Sequence, residues 1–238
     1  MLALFLLAAT FTGEMWERAR PVHEKTLEHP FLTGLVDGSL PRDKFQFYLE
    51  QDAQYLRVFG QALSVLASKA PREDWARTLN RHAVDAIEVE RALHETILGK
   101  FGVQDRQGPA GMAGGGPSRT IMAPVNVAYT NHLLATVERG TFAEGLAAML
   151  PCYWIYWEAG KVLVKRGSKN REYQQWIDQY ASEDYGKSVR EVLAMMDALA
   201  PEMTAAQRER CLALFERGAR YEWMFWDMAW RKESWPPQ

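Results

Sequence analysis

Cysteine is scarce here: Cys152 and Cys211 are the only two in 238 residues. They lie far apart, so they supply neither a disulfide framework nor a CxxC pair for zinc or redox chemistry, and at most one lone bridge. A reducing cytoplasm is the expected home. Net charge is nearly absent too, since 28 Lys and Arg against 30 Asp and Glu leave −2. No Lys/Arg block exceeds two residues, so there is no electrostatic footprint for a nucleic acid, and none is expected as a partner. Strand signals are missing: β-branched residues do not alternate, and no NG or DG turn joins two such runs. HExxH, GxSxG, GxxxxGK[ST] and GxGxxG do not occur, which removes the usual signs of zinc proteolysis, lipase-type chemistry and phosphate cradling. The longest apolar start, "MLALFLLAATF", is too short to span a bilayer and lacks the preceding Lys or Arg of a signal peptide. It reads as a helix start packed on the domain or as an over-early start codon, with secretion as the alternative, and no membrane is expected as a partner.

What remains is helical spacing throughout, in a chain whose 47% hydrophobic residues can bury a substantial core. The pattern predicts helices near 14–28, 41–68, 72–99, 120–138, 141–166, 170–180, 183–199 and 204–232. Pro41, Pro71 and Pro201 stand at or near first turns, and Thr141 and Thr204 stand where caps belong. The clear break is "GVQDRQGPAGMAGGGPSR", residues 102–119, whose Gly and Pro cannot sustain a helix. We read it as a loop within one all-α, single-domain bundle spanning residues 1–238, with 1–13 as an apolar extension.

A helix buries residues three and four apart, so an ionisable group on that stripe is either paired or functional. On 41–68 the stripe runs through Phe45, Tyr48, Leu49, Leu56, Phe59, Leu63 and Leu66, and Asp52 fills the gap with Tyr55 beside it. On 204–232 it runs through Phe215, Ala219, Phe225, Trp226, Ala229 and Trp230, and Glu222 fills the gap. In "LPCYWIYWEAG" (150–160), Pro151 removes a helical hydrogen bond, which predicts a kink with exposed backbone groups. Cys152 follows it, and Tyr156 lies one turn later on the same face, about 6 Å along the axis. Two inward carboxylates, a thiol and several tyrosines in one dry interior would tune each other's pKa values. Cys211, near exposed Arg208 and Arg210, reads as structural. "DAIEVERALHE" offers Asp85, Glu88, Glu90 and His94, but Arg91 breaks the Glu-x-x-His spacing of di-iron bundles, and a buried Glu90–His94 hydrogen bond is the reading preferred.

Five segments, "EHPFLTGLVDGSLPRDKFQFYLEQDAQYL", "VNVAYTNHL", "LPCYWIYWEAG", "YQQWIDQYAS" and "YEWMFWDMAW", together resemble the TenA family (thiaminase II, aminopyrimidine aminohydrolase) in order and spacing. The likeness covers about residues 14–232, and the glycine-rich loop and apolar N-terminus depart from it. It implies a haem-oxygenase-like helical fold, a homotetramer, no cofactor and no metal, and hydrolysis of an aminopyrimidine or thiamin to hydroxymethylpyrimidine for thiamin salvage. Cys152 matches the family nucleophile, and Asp52 and Tyr55 match its QD-x-x-Y positions. Tyr129, Tyr156 and Tyr180 match pocket tyrosines, Glu222 matches the late carboxylate, and Phe225 joins the substrate-binding set. Such a ring resists attack until a ring nitrogen is protonated, so Glu222 would act as acid. The Cys152 thiolate would add, the amine would depart, and water would displace sulfur. Asp52 would grip the exocyclic amine while the tyrosines stack on the ring. Two rivals stand beside this reading. One is a non-catalytic pyrimidine-binding or regulatory protein on the same fold. The other is a haem or di-metal oxygenase-like protein, for which His23, His29, His82, His94 and His132 offer unpaired candidate ligands. Aromatics near the C-terminus, Trp230 and Trp235 among them, are expected to be exposed and to suit a subunit contact.

Overall fold

A computed structural model describes residues 10–100 and 121–237, with side chains for all of these except 89–100. The expectations for residues 102–119, for most of the apolar N-terminus and for the Glu90–His94 pair lie outside the described residues. Among the described residues there are helices and no strand. In chain order they are α1 (Phe11–Leu27), α2 (Pro30–Asp37), α3 (Arg42–Ser68), α4 (Glu73–Lys100), α5 (Pro124–Arg139), α6 (Phe142–Leu163), α7 (Arg171–Ala181), α8 (Glu183–Leu199) and α9 (Ala205–Arg231), with a 3-10 turn at Ala200–Glu202.

The caps follow the sequence. Thr141 and Thr204 each close a capping box, with Glu144 and Gln207 as the returning side chains, and Pro41 stands at the N-cap of α3. The sequence pattern missed α2. Its eight residues are too few to show a helical period, although Pro30 in the first turn and Gly38 at φ 80° bracket it as start and stop signals do. The cap itself is unusual, because His29 Nδ1 accepts from the backbone N–H of Phe31 at 3.1 Å.

Helix α6 occupies the centre. Every residue from Gly145 to Tyr156 is buried, as befits a helix apolar on all sides. Helices α3, α5, α7, α8 and α9 pack around it. The chain stays helical through Pro151, and the expected exposure does not arise. Pro151 and Cys152 are buried, and the Cys152 carbonyl accepts a hydrogen bond from the Tyr185 hydroxyl at 3.1 Å. The proline ring rests on α9 at Gly218, where an added Cβ would lie 2.5 Å from its Cγ. At the other end of α6, a Cβ on Gly160 would lie 2.7 Å from the Tyr180 backbone, so glycine lets α7 approach. One hydrophobic cluster joins residues from α1 through α9. Helix α1 is tied to α8 by Thr12, whose N–H and hydroxyl both donate to Asp197, each at 2.8 Å.

Trp230 differs from expectation. It is half-buried, with the Lys44 ammonium 3.3 Å above its ring centre, whereas Trp235 is exposed and donates its indole N–H to the Met122 carbonyl. Among the described residues no helix is long and apolar enough to cross a membrane.

Candidate active site

Helices α3, α4, α6, α7 and α8 enclose a cavity of about 430 Å³. Its wall includes Asp52 from α3, Cys152 and Tyr156 from α6, and Tyr180 from α7. Four of the eight residues singled out in the sequence therefore share one hollow. Asp52 and Cys152 reach it for the same reason: each interrupts an otherwise apolar face, and both are buried. Tyr156 packs between Tyr180 (ring centres 4.7 Å) and Trp226 (5.0 Å), and its hydroxyl meets that of Tyr48 at 3.3 Å. Burial pushes the Tyr156 phenol well above its ordinary pKa, with Tyr48, Glu222 and Asp52 adding to the effect, so it is a neutral donor in the working pH range.

The other four, Tyr55, Tyr129, Glu222 and Phe225, are buried but do not line this cavity. They form a second layer against α9. The Tyr129 hydroxyl donates to Glu222 Oε1 at 2.6 Å. Tyr55 packs on Tyr129 at 5.1 Å and edge-on to Phe225 at 5.5 Å. Phe225 is thus wedged among rings, its edge also on Tyr48, and has no cavity surface to offer. The Tyr55 hydroxyl stands beside that of Tyr129 without a well-aligned partner, buried behind the cavity wall.

Glu222 is the most perturbed acid. Burial lifts its pKa from 4.5 to about 8, Tyr129 opposes that by bonding the charged form, and Asp52 adds to it by repulsion. The layers communicate, because charge on Cys152 or Glu222 disfavours the phenolates of both Tyr55 and Tyr129. Neither cysteine is in a disulfide. Cys211 is fully buried, and burial first, then Glu144, pushes its thiol up to about 11, which suits an inert core residue. Cys152, 8% exposed, has the cavity in front of it.

Several wall residues escaped the sequence reading. The sequence offers His82 only as a candidate metal ligand, yet its Nδ1 lies 3.1 Å from the Tyr153 hydroxyl and its Nε2 lies 2.9 Å from Glu191 Oε2. Glu191 is 109 positions away, so no local spacing announces the pair. Tyr153 hid beside Cys152 in an apolar run, and Tyr185 hid on α8. Among the described residues no three His, Cys, Asp or Glu side chains gather as a metal site would require.

Fold and site together define an all-helical bundle with a thiol, an acid and stacked phenols around one hollow that opens to the surface beside Asp85 and Asp184. Such an architecture also appears in a domain with a heme oxygenase-like fold from Shewanella denitrificans OS217, with a TM-score of 0.69 over 92% of this chain and 91% of that one; at 11% identity that likeness speaks to the fold alone. The chain belongs to the TENA/THI-4/PQQC family, whose model matches residues 16–232. It is 34% identical over 225 residues to the aminopyrimidine aminohydrolase of Bacillus subtilis (strain 168), covering 94% of this chain and 92% of that one. It also superposes with a TM-score of 0.83 on the TenA homologue protein from P. horikoshii OT3, at 30% identity over 94% of this chain and 99% of that one.

Proposed function

We propose that this protein is a thiaminase II-type hydrolase that takes aminopyrimidines derived from thiamin, or thiamin itself, to hydroxymethylpyrimidine for salvage. The observation that carries the proposal is the thiol of Cys152 on a cavity backed by a carboxyl whose pKa is lifted to about 8. The name of the Bacillus subtilis relative points the same way. At neutral pH Glu222 keeps its proton; the bound ring must reach past the cavity wall to the second layer, where this proton passes to a ring nitrogen and makes the ring electrophilic. The Cys152 sulfur adds to a ring carbon, and the C–N bond pair leaves the side-chain carbon with the amine. Water then bonds at that carbon, and departure of sulfur with return of the proton to Glu222 restores the aromatic ring. Asp52 accepts from the exocyclic amine, and Tyr156 and Tyr180 bound the ring. Tyr55 and Tyr129 serve through the second layer, where Phe225 packs against Tyr55 and Tyr48 behind the cavity wall.

The reading extends to a single-domain, cytoplasmic homotetramer that needs no cofactor or metal. Light scattering of the purified protein and fractionation of the source cells check assembly and location. The decisive assay measures ammonia release and product mass with thiamin, the aminomethyl pyrimidine and the formylamino pyrimidine. Wild type turns over at least one of them, and Cys152→Ser loses most turnover while its helical circular dichroism is unchanged. Full activity in the serine variant refutes covalent catalysis. Tight pyrimidine binding with no turnover by wild type would establish the non-catalytic binder instead.

A further inference from the structure

Glu191, His82 and Tyr153 form a hydrogen-bonded series from the protein surface to the cavity. Glu191 on α8 is half-buried, while His82 on α4 and Tyr153 on α6 are buried, and the last two line the cavity. Burial works against charge on Glu191, but His82 and Arg81, whose Nη2 lies 2.6 Å from the carboxylate, hold its pKa below the usual value. An ionised carboxylate only accepts, so His82 Nε2 carries the proton facing it. That leaves Nδ1 as a lone pair, and the Tyr153 hydroxyl donates to it. Both imidazole nitrogens are therefore engaged, and His82 can act on a ligand only through the phenol oxygen. That oxygen keeps lone pairs for a donor in the cavity.

We infer that Tyr153, His82 and Glu191 are a proton store for the hydrolytic half of the reaction, accepting the proton that water must lose when it replaces the departing amine. This rests on the hydrolase reading above. The amine enters as ammonium and leaves, with the C–N bond pair, as ammonia. Water oxygen bonds to the carbon; its proton passes to the Tyr153 oxygen as the phenol proton moves to His82 Nδ1, giving imidazolium against the Glu191 carboxylate. The proton returns along the same path to ammonia, which departs as ammonium. Atoms and charge balance, and the imidazole ends in its starting tautomer. His82 is set for this role, since burial lowers its pKa and keeps it neutral, while Glu191 across from it steadies the charged form; Arg81 opposes that charge and Asp85 favours it. His82 and Glu191 are positioning residues here, because neither nitrogen nor carboxylate touches the substrate.

The bland alternative is a tether that pins α4, α6 and α8 together. Rapid-quench ammonia release and steady-state turnover, each across pH 5–9, separate the two for wild type, Tyr153→Phe and Glu191→Gln. The store predicts that both variants cleave the C–N bond of a first equivalent, read as ammonia freed by the quench, at close to the wild-type rate, then turn over about a hundred-fold more slowly. It also predicts that the acid limb of kcat moves to lower pH in Glu191→Gln, because the imidazolium has lost its carboxylate. First release and turnover falling together, or an unmoved limb, overturns the store. So does unchanged turnover. A Tyr153→Phe protein that fails to fold leaves Glu191→Gln to decide. Wild type that forms no hydroxymethylpyrimidine from any of the three substrates sinks the hydrolase reading and the store together, whereas normal turnover in the variants sinks the store alone.

Discussion

Replacing Glu222 by Gln tests the acid on stability as well as on rate. The carboxyl is buried and its pKa rises from 4.5 to about 8 on folding. A group whose folded pKa is raised binds its proton more tightly in the native state, so its contribution is whole below pH 4.5 and is lost as pH climbs through about 8. At 1.36 kcal/mol for each pKa unit, the whole loss is about 5 kcal/mol, with a slope of at most about 1.4 kcal/mol per pH unit. Glutamine keeps the shape, and its carbonyl can accept the Tyr129 hydroxyl that now meets Oε1 at 2.6 Å. Urea unfolding of both proteins between pH 4.5 and pH 9 is the assay. The variant should gain on wild type steadily as pH rises, by several kcal/mol at the alkaline end, while kcat falls about a hundred- to ten-thousand-fold. Stability curves that run parallel across this range would falsify the buried, protonated carboxyl and the catalytic role built on it.

Tyr129→Phe removes the donor that holds Glu222 down, so the alkaline limb of kcat should move to higher pH. At pH 9, where the carboxylate is stripped of its partner, the variant should also lose about 1–3 kcal/mol in urea unfolding; an unshifted limb would show that the hydrogen bond does not govern the acid. Alkylation with iodoacetamide should mark Cys152 and spare Cys211, whose thiol is buried and pushed up to about 11; peptide mapping with label chiefly on Cys211 contradicts that assignment. Gly218→Ala puts a methyl 2.5 Å from Pro151 Cγ and should cost about 1–3 kcal/mol in the same unfolding assay. A change under about 0.5 kcal/mol would mean the two helices separate freely.

The long helices were legible because their stripes are long and their ends carry threonine and proline caps, as at Thr141 and Thr204. α2 was not, since eight residues give no period and its cap is a histidine. The wall formed by Asp52, Cys152 and Tyr156 could be read because each is a polar residue on an apolar stripe. Depth could not: periodicity says that Glu222 points inward, but not that Tyr129 and Tyr55 stand with it in a layer behind the cavity. Nor does one-dimensional spacing pair His82 with Glu191, which only tertiary packing brings within 2.9 Å.

The seating of Pro151 on Gly218 fixes one side of the pocket. Proline directly precedes the thiol, and glycine lies one turn before the acid, so ring-on-backbone contact sets the reach between Cys152 and Glu222 as a rivet sets two plates. Evolution or a protein engineer wanting a different substrate has little freedom there. On the opposite rim, where α7 meets α8, Ser182 is tied down as the cap of α8, but Gln179, Asp184 and Ser188 stand away from that contact, and divergence of appetite within one chemistry belongs with them.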